Sequence, residues 1–229
     1  MGIRNRNIDA NAKIAMSKID QAFGDRVFFE DFDDDNGAAI NTTYGFIFAT
    51  DDDATATHAS ASSSCSIATN DATGLVVGVP TYSDAKSPVF RARITTSAAL
   101  TNWEIQIGFG DVDATDAHAD PIGDKNVAYW EFDDTTSATW RLRTQKEGGG
   151  ASFSDVDTGI TVVGNTAYNL EIQLIGGLVK GKINDEEFVT AADAITSGTT
   201  DWRAMARAQS QNASARTLLI DTWYTSSER

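Results

Sequence analysis

Two hydrophobic periods follow one another along the chain. From Asn7 to Phe23 the apolar residues Ile8, Ala12, Ala15, Ile19 and Phe23 recur at steps of three and four, the spacing that lines one side of a helix. Asn7 stands where its N-cap belongs and Gly24 where it stops. Its small alanines bury little area, so such a helix is marginal alone and needs a surface to dock on. Two surfaces would serve: its own domain, or a neighbouring subunit.

After Gly24 the period falls to two. Val27-Phe28-Phe29-Glu30-Asp31-Phe32 opens a domain as a short strand running into the acidic turn Asp33 to Gly37. Trp103, Ile105, Ile107 and Phe109 alternate with Glu104, Gln106 and Gly108, which predicts one buried face and one wet face. Ala128, Trp130 and Phe132 alternate with Tyr129 and Glu131, and Trp140 and Leu142 with Arg141 and Arg143. Tyr168, Leu170, Ile172 and Leu174 alternate with Asn169, Glu171 and Gln173. Turn signals separate these runs: Asp133-Asp134-Thr135, Gly148-Gly149-Gly150, Gly164-Asn165, Gly176-Gly177 and Asn184-Asp185. Ala49 to Ala72, rich in Asp, Ala, Thr and Ser, is expected to be a surface excursion or weak edge strands.

Short alternating strands without intervening helices predict an all-β fold, an antiparallel jelly-roll β-sandwich with a short N-terminal helical arm. The expected division is 1–26 for the docking and oligomerisation arm and 27–229 for the sandwich. With 229 residues, 41% hydrophobic and 22% charged, the chain can bury one large core.

Charge narrows the partners. A formal net charge of −15 repels phosphate backbones, so nucleic acid is not an expected partner. No run of about 18 apolar residues provides a membrane span, and the first residues lead into no apolar signal segment, so neither membrane insertion nor classical secretion is expected. The single cysteine, Cys65, cannot form an intrachain disulfide. As a nucleophile it would need His58 or His118, both in Asp- and Ala-rich sequence, and a small structural cysteine is the expected role. No cofactor is implied.

The segments Tyr168-Asn169-Leu170-Glu171-Ile172, Val179-Lys180-Gly181-Lys182-Ile183-Asn184-Asp185 and Leu219-Ile220-Asp221, with Phe28-Phe29-Glu30-Asp31-Phe32 ahead of them, resemble the strands of concanavalin A-like (laminin G-like) jelly rolls. The resemblance spans roughly 27–224 and implies the fold rather than an activity. Some members of that superfamily are glycoside hydrolases with a strand motif Glu-x-Asp-x-x-Glu, whose two carboxyls act across the sugar. Glu131-Phe132-Asp133 matches its first half, but Thr136 stands where the second Glu belongs, so a solvated strand end and no enzyme are expected. Other members hold calcium on loop carboxylates. Asp51-Asp52-Asp53 and the Asp111, Asp113, Asp116 run supply oxygens without an EF-hand pattern, and water-exposed acidic turns are the expectation, with no metal. Trp202 and Trp223 are weighed as sugar platforms and expected in the core.

The segment Asn7-Ile8-Asp9-Ala10-Asn11-Ala12-Lys13-Ile14-Ala15-Met16-Ser17-Lys18-Ile19 is similar to an element, D-I-x-A-x-A-x-I-x-x-S-K-L, near the starts of bacteriophage fibre and head-surface proteins, though Asn7-Ile8 replaces its opening and only one copy is present. That resemblance implies a non-enzymatic virion protein made in the host cytoplasm and displayed on the phage head, a capsid decoration (cement) protein or short head fibre. Its partner would be the major capsid protein or another virion protein, and its arm would gather it into a homotrimer. The alternative is a tail-fibre module that binds host glycan.

Overall fold

Period-two alternation becomes two stacked sheets because each strand has one apolar side to hide. The computed structural model describes residues 26–30, 46–51, 54–59, 64–70, 72–78, 80–112, 125–146, 154–190, 194–198 and 201–228. The arm residues Ile8, Ala12, Ala15, Ile19 and Phe23, the turn at 33–37, the glycines at 148–150, His118 and the acidic positions 52, 53, 113 and 116 lie outside them. So does the helical part of the expected fold; among the described residues the helical element is a single 3-10 turn, Asp84–Lys86.

The strands are β1 (Arg26–Glu30), β2 (Phe46–Asp51), β3 (Thr55–Ala59), β4 (Ser64–Thr69), β5 (Thr73–Gly78), β6 (Val89–Thr95), β7 (Trp103–Gly110), β8 (Val127–Asp133), β9 (Ser137–Gln145), β10 (Ser154–Thr161), β11 (Ala167–Ile175), β12 (Leu178–Ile183), β13 (Glu186–Val189), β14 (Arg203–Ser210) and β15 (Arg216–Ser227). Sheet A runs β13-β12-β11-β6-β15-β4-β3, and sheet B runs β10-β9-β8-β7-β14-β5-β2, with every pairing antiparallel. The twelve-residue β15 offers one edge to two strands: β4 takes Arg216–Ile220 and β1 takes Trp223–Ser227. The first described strand thus closes beside the last.

Between the sheets lies an aromatic core. Trp223 meets Phe90 and Phe46 edge to face at 4.8 and 5.1 Å between centroids, and Trp140 meets Tyr168 at 5.4 Å. Trp103, Trp130, Trp140, Trp202 and Trp223, all the tryptophans of the chain, are buried, so none offers a ring to a sugar. Gly181 explains one close approach: a Cβ there would stand 2.5 Å from the Trp130 ring and 2.9 Å from Leu142. A bare backbone on β12 is what lets the indole of β8 approach sheet A this closely, where its N–H donates to the Glu171 carbonyl at 3.0 Å.

Two expectations need correction. The stretch expected as a surface excursion or weak edge strands does place β3 at the edge of sheet A, but it also contains β4, an interior strand between β15 and β3, with Ser64, Cys65 and Ile67 inaccessible to solvent. Residues this small leave little hydrophobic signal in sequence yet fit where strands pack closely. The wet face expected on β7 and β8 is also absent: Glu104, Gln106, Tyr129 and Glu131 are buried with the rest of β7 and with β8 as far as Phe132.

Candidate functional site

The polar residues of β7 and β8 lie on the side of sheet B turned away from sheet A, and register fixes their neighbours in rows across the strands. One row is Arg141, Glu131, Gln106, Arg207 and Leu75; the next is Asp155, Arg143, Tyr129, Gly108, Met205, Val77 and Ile47. Each row passes from charge at the β9–β10 end to apolar residues at the other, Leu75 in the first and Met205, Val77 and Ile47 in the second.

Carboxylates and guanidinium groups interlock there. Arg143 Nη1 donates to both oxygens of Glu131 at 2.8 Å, and Arg207 donates from Nη1 to Glu104 at 3.2 Å and from Nη2 to Gln209 at 2.8 Å. Gln106 links the two halves, its Nε2 standing 2.5 Å from Glu104 Oε1 and 3.5 Å from Glu131 Oε1. Laid end to end, those two distances keep the carboxylate oxygens within about 6 Å of each other.

Burial sets the protonation. Loss of water raises the Glu131 carboxyl above the ordinary glutamate value, against the opposing pull of Arg143. Arg143 itself, less enclosed, is raised because the bonds and charge of Glu131 outweigh its own desolvation. The pair therefore favours the guanidinium cation more than it favours the carboxylate. Tyr129, enclosed beside Glu131, has its phenol pushed well above the ordinary value by burial first and the carboxylate second. Burial thus raises the proton affinity of one carboxyl, while a guanidinium holds each of the two.

The outer side of sheet A is different. A groove of about 390 Å³ crosses it, lined by Arg91, Arg93, Asn169, Glu171, Lys182 and Tyr224, with Asn184 and Thr222 at its sides. One row of the sheet reads Glu187, Lys182, Glu171, Arg91, Tyr224, and the adjacent row places Asn169 beside Arg93 and Thr222. A bulge in β15 at Asp221 turns both Asp221 and Thr222 outward, bringing the Asp221 carboxylate within 3.5 Å of Arg93 Nε.

Asp133 follows neither pattern. It accepts hydrogen bonds from the Thr135 N–H, the Thr135 hydroxyl and the Thr136 hydroxyl, at 3.0, 2.8 and 2.6 Å, and so closes the β8–β9 turn. Thr136, which stands in place of the motif's second Glu, is one of its donors. Glu131 is brought instead to Glu104, which the sequence offered only as a wet-face residue. Arg207 was missed, although Arg203-Ala204-Met205-Ala206-Arg207-Ala208-Gln209 carries the signal: alternate alanines put every long polar side chain on one face. Cys65 lies buried on β4, outside any disulfide. Among the described residues no group of three or more His, Cys, Asp or Glu could hold a metal ion.

No protein-family model matches the chain, and no curated relative matches it by sequence. Solved structures do match in fold. A β-1,3-glucanase from Mycobacterium marinum superposes with a TM-score of 0.64 at 11% identity, over 86% of this chain and 97% of that one. A Bacillus licheniformis β-glucanase gives 0.61 at 13% identity, over 89% and 98%. A Shewanella oneidensis protein of unknown function gives 0.61 at 10% identity, over 96% of both chains. These neighbours support the jelly-roll resemblance and lend nothing to the virion one. The expectation that the chain is not an enzyme is corrected by them, since named glycoside hydrolases stand on the same scaffold. At such identities the likeness is one of fold: the described chain is an antiparallel two-sheet sandwich of the concanavalin A-like jelly-roll kind.

Proposed function

We propose that this chain recognises glycan through the exposed outer face of sheet A, and that it does so on the surface of a virus particle to which its N-terminal segment attaches it. The groove across β6, β11, β12 and β15 carries the glycan reading. It is open to solvent, is of a size for a few sugar hydroxyls, and is lined by amide, guanidinium, ammonium and carboxylate groups able to meet them. The attachment rests on the resemblance of residues 7–19 to phage head-surface elements. Binding of the purified chain to an oligosaccharide array, lost on filling the groove with Thr222→Trp, is the expected result. Absence of binding, or binding indifferent to Thr222→Trp, overturns the glycan reading. Failure of an antibody to the chain to label intact particles overturns the location.

The adjacency of Glu104 and Glu131, both beside the Gln106 amide, favours a second reading, glycosidic hydrolysis on the outer face of sheet B, in which substrate would displace the arginines. Release of reducing ends from β-glucans, abolished by both Glu104→Gln and Glu131→Gln, would establish it. No release by the unaltered chain would remove it.

A further inference from the structure

Resting on the glycan-binding reading, we infer that the sheet A groove selects acidic saccharides, those bearing a carboxylate on the sugar ring, over neutral ones. Three cations line the groove, Arg91, Arg93 and Lys182, against one lining anion, Glu171, with Glu187 and Asp221 at its margins. In a chain of net charge −15 this is a local concentration of cations, matched in number by the three carboxylates that pair with or border them.

The two arginines are held by one corner each. Arg91 donates from Nε to Glu171 at 2.6 Å, and its guanidinium lies 5.5 Å from the centre of the Tyr224 ring, a cation–π contact that orients the plane. Arg93 approaches Asp221 at 3.5 Å, also through Nε. The terminal nitrogens of both make no hydrogen bond to the described residues, and both side chains are 56% exposed. An Nη1–Nη2 edge left open is the fork that matches the two oxygens of a carboxylate. The pair lies two residues apart on β6, about 7 Å along the strand, with both side chains on the same face. That arrangement presents two forks in line, as a chain with successive acid groups requires.

Hydroxyl recognition is supplied alongside. Asn184 Oδ1 accepts from the Asn169 backbone N–H at 3.0 Å, which fixes the amide and turns its NH₂ donors outward from that bond. Arg93's backbone N–H is satisfied by the Thr222 hydroxyl at 3.2 Å, so the guanidinium is the part of Arg93 left for a ligand.

Calorimetry of the full chain with an oligogalacturonate, compared with a neutral β-1,3-gluco-oligosaccharide of equal length, tests this. The acidic ligand is expected to bind about tenfold or more tightly than the neutral one, the worth of one charge-assisted contact. Its affinity should fall with added salt, and Arg91→Gln and Arg93→Gln should each lower it about tenfold, a larger loss than either causes for the neutral ligand. Both positions are exposed, and an unchanged circular dichroism spectrum shows that either variant is folded. Equal affinity for the two ligands, or acidic binding untouched by both variants, overturns the selectivity while leaving glycan recognition standing. Absence of binding to either ligand overturns both.

Discussion

The outer faces of the two sheets use the same chemical pair in opposite surroundings. On sheet A, Arg91 meets Glu171 with more than half of the arginine side chain in water; on sheet B, Arg207 meets Glu104 with 2% of it exposed. The exposed pair can exchange partners with solvent and with a ligand at little cost, because water competes for both ions. The buried network has surrendered that water and depends on its own members. Alternation in sequence is the same on both faces. What differs is the covering: on sheet B the outward residues of β5, β8 and β14 include Leu75, Val77, Tyr129 and Met205, a second small apolar cluster continuous with the polar rows.

The largest expected effect comes from removing one partner of the buried network. Arg143→Met leaves the Glu131 carboxylate enclosed without its guanidinium, and loss of such a partner costs roughly 3–5 kcal/mol. Urea denaturation should show the midpoint falling accordingly at neutral pH. A loss below about 1 kcal/mol, the level of an exposed pair, would erase the distinction between the two faces.

Burial of that network was not legible in the sequence, and the reason is the distance along the chain. Glu104 and Arg207 are separated by more than a hundred residues and meet only because β14 lies beside β7 in sheet B. A Glu or Gln at every second position reads as solvent-facing until its neighbours are known. The inward sides were legible, since Trp103, Ile105, Ile107, Trp130, Trp140, Leu170 and Ile172 all sit in the main core where alternation put them. β4 was not, because Ser64-Cys65-Ser66-Ile67-Ala68-Thr69 offers one large apolar side chain to a pattern that needs several. On the groove, Asn169 and Glu171 were legible as outward residues of β11. Their meeting with Arg91 and Arg93 required the pairing of β11 with β6, strands that are far apart in sequence.

A smaller effect couples the two sheets. Gly181→Ala on β12 drives a methyl into the Trp130 ring, whose strand also carries Glu131, and overpacking of this kind costs about 1–3 kcal/mol. Tryptophan fluorescence should shift along with the loss of stability. An unchanged spectrum and midpoint would show that Trp130 has room to move, and that sheet A does not set the position of the sheet B network.

Acid dependence sharpens the comparison further. A carboxyl whose folded pKa is raised holds its proton more tightly in the folded chain, so its contribution to stability is full below the ordinary glutamate value of 4.5 and is lost as pH rises through the raised value. Glu131 should therefore tilt the stability curve downward with rising pH in that window, and Glu131→Gln should remove the tilt. Denaturation of both proteins in a pH series measures it. A parent protein that gains stability relative to Glu131→Gln as pH rises would mean that Arg143 prevails over burial at Glu131.

The smallest effect belongs to the exposed face and is the more informative for being small. Arg91→Gln and Glu171→Gln should each change stability by no more than about 1 kcal/mol, and a double-mutant cycle should give a coupling of about 0.2–1 kcal/mol that shrinks with added salt. The contact is short, at 2.6 Å, but single-pointed through Nε, and both side chains keep access to water. Such a pair can yield an arginine to an incoming carboxylate without unfolding the sheet beneath it. A coupling of several kcal/mol, insensitive to salt, would instead make Arg91 part of the framework and leave the groove with Arg93 as its one available fork.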